Sequence, residues 1–208
     1  MTIFGNRSHA GKILAEQIPF KFDVVAVIPR GGVLVGVEIA KRHKKPVYVV
    51  GVRKIPIPWE PEAGFGAVAE DGSVYLKEEI LPYLNLPENI ITKLAEEVRR
   101  EVERRIKLYR PKDADLKNKD VLLVDDGFAT GYTAIAGIMM LRKKGARKVY
   151  AVAPCAPFDT ILLLRRYADE VFVPNVQKFG PFAVANYYQD FRDLKDEEVL
   201  NALKEVDC

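Results

Sequence analysis

The 208-residue sequence predicts an α/β fold: a three-layer domain with a mainly parallel twisted sheet and helices on both faces. Three observations lead there. Short apolar runs recur, each closed by proline, glycine or aspartate, and segments with helical periodicity lie between them. Runs as continuous as VVAVI and VLLV suit strands covered on both faces. Strands alternating with helices require crossover connections, which are right-handed and build parallel sheets. A chain of this length can bury one sizeable core, so residues 1–208 are read as a single domain with two irregular segments, 54–75 and 174–208.

The elements follow in chain order. A helix opens at NRSHAGKILAEQI. FDVVAVIPRGG places a strand at Val24 to Ile28, stopped by Pro29 and the glycine pair, and a helix over Val33 to His43 follows. Val47 to Val52 repeats the strand signal. From Lys54 to Gly72 the breakers Pro56, Pro58, Pro61, Gly64, Gly66 and Gly72 exclude a helix, and a long flexible loop is expected, with a short hairpin around Phe65 to Tyr75. Ile91, Leu94, Ala95, Val98, Val102 and Ile106 then recur at three- and four-residue steps, one face of a helix whose remaining surface is charged and solvated. Strand 121–124, helix 130–144, strand 147–153, helix 158–167 and strand 170–173 complete the alternation. The tail is aromatic and irregular before a last helix that Asp193 or Asp196 could cap.

Composition narrows the function class. Hydrophobic residues make up 49% and charged residues 29%, an ordinary balance for a globular protein, and no apolar run approaches the roughly 20 residues of a membrane span. The first residues lack the apolar centre of a secretory signal, and the separated Cys155 and Cys208 form no disulfide or metal spacing. A cytoplasmic location without a membrane partner is expected. A net charge of +3 does not argue for nucleic acid. His9 and His43 read as surface residues, and Cys155 as a small buried one.

The chemistry concentrates in VLLVDDGFATGYTA, Val121 to Ala134. Asp125 and Asp126 end an apolar strand, and ligands of open parallel sheets bind at the carboxyl ends of strands. In the turn that follows, small residues allow close backbone approach, and the hydroxyls of Thr130 and Thr133 stand beside the open amides of a helix start, a monophosphate site. Carboxylates suit vicinal hydroxyls rather than that phosphate, so a sugar phosphate fits the whole string. In PRGG, Arg30 and the amides of Gly31 and Gly32 make an anion site at a helix start, although the same residues also make a tight turn.

VLLVDDGFATGYT resembles the signature of the type I phosphoribosyltransferases. The resemblance implies that Asp125, Asp126, Ala129, Thr130, Gly131, Tyr132 and Thr133 bind the ribose and 5-phosphate of phosphoribosyl pyrophosphate (PRPP). It implies that Arg30, Gly31, Gly32, Arg53 and Lys54 hold the pyrophosphate, with Asp125, Asp126, Arg53 and Lys54 catalytic and Mg²⁺ carried by the donor near the two aspartates. Gly127 and Phe128 depart from the family's usual aliphatic residues. The tail matches the position of the family's hood, where Phe182, Tyr187 and Tyr188 would face an acceptor, most simply a nucleobase, or else belong to the core. A homodimer is implied by analogy alone. The rival reading is a sensor of PRPP or a nucleotide that kept the fold without the chemistry. As a whole the chain is similar to uncharacterised phosphoribosyltransferases that combine PRGG, VRK and a YYQDF tail.

Overall fold

The computed structural model describes residues 3–110 and 114–207, apart from the side chains of Pro61 and Glu62; Cys208 lies outside the described residues. The chain runs through α1 (Arg7–Gln17), β1 (Val24–Val27), α2 (Gly31–His43), β2 (Val47–Val49), β3 (Val52–Ile57), β4 (Glu60–Ala69) and β5 (Val74–Leu76). It continues with α3 (Leu81–Leu84), α4 (Glu88–Tyr109), β6 (Asp120–Val124), α5 (Tyr132–Lys143), β7 (Lys148–Val152), β8 (Cys155–Pro157) and α6 (Phe158–Leu164). β9 (Glu170–Phe172), β10 (Asn175–Gln177), a 3₁₀ turn (Val184–Tyr187) and α7 (Asp196–Leu203) complete it.

The main sheet has the order β2-β1-β6-β7-β9, and every pairing in it is parallel. Side chains alternate across it. Val24, Ala26, Val121, Leu123, Val149 and Ala151 pack on one face with Ala134, Ile135, Ile138 and Leu141 of α5. Val25, Val27, Leu122, Val124 and Val152 pack on the other with Leu14 of α1, Val33 to Ala40 of α2, and Val199 and Leu203 of α7. Burial on both faces is why these strands read as unbroken apolar runs. Expected and observed ends agree within about two residues for β1, α2, β6, α5, β7 and β9, the ordinary uncertainty of element ends.

Three expectations need correction. The strand expected over 47–52 is two strands in different sheets. The chain turns at Gly51, whose N–H donates to Glu70 Oε2 at 3.0 Å and where a Cβ would lie 2.4 Å from the same atom. The segment 54–75, expected as a long loop, is mostly an antiparallel sheet of order β3-β4-β5, and the expected hairpin is β4 and β5. Its proline and glycine are strand residues at an irregularity: the register shifts on either side of Pro56, which faces Gly64, where a missing N–H is tolerated. Ile55, Ile57, Phe65 and Val68 of this sheet pack on Ala95, Val98 and Val102 of α4, the face that periodicity identifies. Finally, neither Asp193 nor Asp196 caps α7. Glu198 accepts from the Lys195 N–H at 2.9 Å instead, while Asp196 accepts from Arg104 at 3.0 Å and from the Tyr109 hydroxyl.

Candidate active site

β1 has β2 on one side and β6 on the other, so the strand order reverses between β1 and β6. A crevice opens at the carboxyl ends of two such strands, where the chain leaves them in opposite directions. Pro29 and Arg30 follow β1, and Asp125 and Asp126 follow β6. The Pro29–Arg30 peptide is cis.

Two adjoining cavities occupy this edge, of about 130 Å³ and about 360 Å³. The smaller is lined by Asp125, the turn from Gly127 to Ala134, Lys54 and two glycines of β4. The larger is lined by Arg30, Gly31, Arg53, Lys54, Arg105, Asp125, Asp126 and Thr133 among others. Lys54, Asp125 and Thr133 border both, so the two spaces form one crevice, cationic on one side and built from a helix start on the other.

The turn into α5 is anchored from behind. Thr160 donates to the Ala129 carbonyl at 2.6 Å, and the Phe128 N–H donates to the Cys155 carbonyl at 3.0 Å. Gly131 takes φ +82° as the residue before α5, a conformation that favours glycine. Tyr132, Thr133 and Ala134, whose amides precede the first bond of α5 (Ile135 N–H to the Gly131 carbonyl, 2.9 Å), line the smaller cavity with Thr130. The two departures from the resembled signature have local causes. Phe128 is buried in the core, and a Cβ on Gly127 would come within 2.6 Å of Val184.

The acidic pair is tightly held. The Asp126 N–H donates to Asp125 Oδ1 at 2.8 Å, and the Asp126 carbonyl accepts from the Tyr188 hydroxyl at 2.6 Å. Arg7 Nε donates to Asp126 Oδ2 at 2.7 Å. Burial and the neighbouring Asp126 charge push the Asp125 carboxyl well above the usual aspartate range. Gly31 and Gly32 serve this pair directly. A Cβ on Gly31 would sit 1.9 Å from Asp126 Oδ2, and one on Gly32 would sit 2.6 Å from the Val124 carbonyl and 3.2 Å from Asp125 Oδ1. Gly32 lies behind the pair and lines neither cavity.

Opposite stand the cations. Arg53 pairs with Glu101 at 3.5 Å, and burial together with the nearby Arg105 charge lowers its guanidinium from the ordinary value. Glu101, held down to about 2 by hydrogen bonds from Arg104 and Arg105, anchors this group. Arg30 lies 3.9 Å from Asp196 at the start of α7.

Tyr187 and Tyr188, expected either in a hood or in the core, lie in the core. Tyr187 and Tyr188 are buried in a cluster with Phe4, Ala10 and Cys155, and Phe182 packs against it. The hydroxyls of Tyr187 and Tyr188 bond within the protein, to Gln177 and Asp126. None of the three rings lines either cavity, because the tail folds inward over α1 and β8. Cys155 is buried as expected, and that burial pushes its thiol up.

Two site residues escaped sequence reasoning, Arg7 and Arg105. Both are buried, and both continue an apolar stripe: Arg7 with Ala10, Gly11 and Leu14 on α1, Arg105 with Val98, Val102 and Tyr109 on α4. An arginine where helical periodicity asks for an apolar residue was the available signal, since arginine is rarely buried without a partner. Metal-ligating side chains do not gather in threes anywhere among the described residues.

The phosphoribosyl transferase domain family matches residues 69–188. A Mycobacterium tuberculosis (strain H37Rv) protein whose name assigns it provisionally to the phosphoribosyl transferases is 35% identical over 206 residues, covering 96% of this chain and 46% of the relative. The chain thus spans about half the length of such curated relatives. A ribose-phosphate pyrophosphokinase of Thermococcus kodakarensis is 42% identical over 67 residues, 31% of this chain and 24% of that protein. The crystal structure of TT1426 from Thermus thermophilus is 35% identical with a TM-score of 0.78, each chain covering 100% of the other.

Proposed function

Because the chain belongs to the phosphoribosyl transferase domain family, we propose that it moves a 5-phosphoribosyl group from PRPP to an acceptor nitrogen, a nucleobase most simply, and releases pyrophosphate. One observation carries this reading: a single crevice joins the Thr130–Thr133 helix start, the Asp125–Asp126 carboxylates and the cations Arg30, Arg53, Lys54 and Arg105. Those three surfaces match, in order, the 5-phosphate, the ribose hydroxyls and the pyrophosphate of one molecule.

The residues then divide the work. The amides and hydroxyls from Ala129 to Thr133 hold the 5-phosphate. Asp125 and Asp126 accept from the ribose hydroxyls, and their negative field favours the positive charge that grows on the ring as the glycosidic bond opens. Arg30, Arg53, Lys54, Arg105 and the amide of Gly31 take up charge on the departing pyrophosphate, while Gly32, behind the acidic pair, lets α2 pack against it. No protein nucleophile is required. Mg²⁺ suits a diphosphate donor, because it keeps several waters and is bound largely through substrate phosphates rather than by an all-protein cage. It would be held through PRPP near Asp125 and Asp126, with no direct protein ligand, and it would neutralise diphosphate charge on departure.

The burial of Tyr187 and Tyr188 favours a second reading, a PRPP- or nucleotide-binding sensor without transfer, since it leaves the acceptor no aromatic platform from these rings. Calorimetric titration with PRPP and Mg²⁺, followed by pyrophosphate release across a panel of purines, pyrimidines and nicotinate, separates the two. Binding with release for one acceptor supports the transferase, binding without release supports the sensor, and no binding sinks both. A homodimer and a cytoplasmic location complete the proposal, and sedimentation velocity tests the first. No helix among the described residues is long and apolar enough to cross a membrane.

A further inference from the structure

Arg7 is out of place by every local rule. It is the first residue of α1, where the helix dipole disfavours a cation. It lies on that helix's apolar stripe and is 8% exposed. Residues distant in sequence converge to receive it. Its Nε donates to Asp126 Oδ2 at 2.7 Å, its Nη1 donates to the Arg192 carbonyl at 3.0 Å, and its guanidinium lies 4.0 Å from the centre of the Phe191 ring. A Cβ on Gly31 would lie 3.1 Å from Arg7 Nε, so the ion pair is packed against the start of α2. Asp126 lines the larger cavity and Arg7 does not, which puts the guanidinium behind the carboxylate as seen from the crevice.

Resting on the phosphoribosyl-transfer reading, we infer that Arg7 is a positioning residue: it fixes the Asp126 carboxylate by Oδ2 and offsets its charge beside Asp125, so that both carboxylates can serve one ligand. Two adjacent carboxylates in a part-buried site oppose each other's ionisation. A fixed cation behind one of them relieves this without occupying the crevice. The groups facing the pair are Arg7 from α1, Cys155 from β8 and Tyr188 from the tail, with Arg30, Arg53, Lys54 and Arg105 across the larger cavity. Of these, Arg7 is in direct contact with Asp126 Oδ2 and works against the rise at Asp125. α1 and the tail, remote from the turn that carries the acidic pair, thereby set its charge.

The test uses the full chain as wild type, Arg7→Met, Arg7→Lys and Phe191→Leu. For each, the aspartate carboxyl carbons are followed by NMR from pH 3 to 8 without ligand, and PRPP with Mg²⁺ is titrated calorimetrically from pH 5 to 8. Arg7→Met is expected to move the Asp125 titration up by about one unit and to weaken donor binding about tenfold at pH 6, with a smaller loss at pH 8. Arg7→Lys, which keeps the charge without the planar fork, should return the titration close to wild type with incomplete recovery of affinity. Phe191→Leu should move the titration the same way by less, and it decides the matter if Arg7→Met does not fold. An Asp125 titration unchanged in both Arg7→Met and Phe191→Leu overturns the inference. A wild type that binds no PRPP, with the titration still displaced in Arg7→Met, removes the transfer reading and leaves the charge relation between Arg7 and the pair standing.

Discussion

Asp125 is held against its own charge. Burial and Asp126 raise its carboxyl above the ordinary aspartate range, so the fold favours the neutral form. The stability this contributes is complete below the ordinary range and is lost as pH rises through the raised value. Asp125→Asn should therefore stabilise the protein at pH 7 by about 0.5 to 2 kcal/mol while removing donor binding, the usual trade at a strained site. Calorimetric melting at pH 7 and pH 4 checks this, and a gain that is absent at pH 7 or equal at both would refute it. For the same reason, donor affinity in the wild type should fall on acidification from a pH above the ordinary aspartate value of about 3.9. The double variant Asp125→Asn, Asp126→Asn should lose about 2 to 4 kcal/mol of transition-state stabilisation, and normal pyrophosphate release from it would contradict the field argument. At Gly31 the constraint is steric. Gly31→Ala sets a methyl group against Asp126 Oδ2, and a cost of about 1 to 3 kcal/mol in urea unfolding, together with loss of PRPP binding, is expected.

α4 does more than cover the small sheet. Its apolar stripe packs on β3 and β4, and the same stripe continues through Arg105, which lines the larger cavity and is held by Glu101 Oε1 at 2.9 Å. The helix thus brings a cation to a crevice that opens at the ends of β1 and β6. Arg105→Met should weaken PRPP binding by about 1.5 to 3 kcal/mol, the worth of a hydrogen bond to a charged group, and should reduce the salt dependence of binding. Calorimetry at two ionic strengths measures both, and unchanged affinity would remove Arg105 from the site. The strands β3 to β5 make the same point about legibility. Pro56 and Gly64 are loop signals when read singly, and they become strand residues only because they face each other at a register shift under α4.

The small antiparallel sheet must be fixed to the main sheet for Lys54 and Arg53 to border the crevice. Glu70 ties them. Its carboxylate accepts from the Gly51 N–H, lies 2.8 Å from Arg110 Nη2 and 3.4 Å from Lys144 Nζ, while Arg110 Nη1 donates to the Val49 carbonyl and its guanidinium lies 4.3 Å from the centre of the Tyr48 ring. The Glu70 and Arg110 side chains are only 11% and 9% exposed. Breaking such a pair leaves an uncompensated buried charge, so Glu70→Ala should cost about 3 to 5 kcal/mol in denaturant unfolding. A loss below about 1 kcal/mol would show that this contact does not join the two sheets.

The sequence by itself determined the main sheet, the helices that flank it and the acidic, threonine-bearing turn. These depend on contiguous residues, on strand runs buried on both faces, and on a strand-to-helix turn whose glycines and threonines are read within one window. Tertiary structure alone decided which residues from elsewhere complete the site. Arg7 reaches Asp126 across 119 positions and Arg105 arrives on the far end of a 22-residue helix, while Tyr187 and Tyr188 turn into the core because Phe4 and Ala10 are there to receive them. An ion pair or a buried ring depends on where two distant segments come to rest, and neither segment carries its partner in its own pattern.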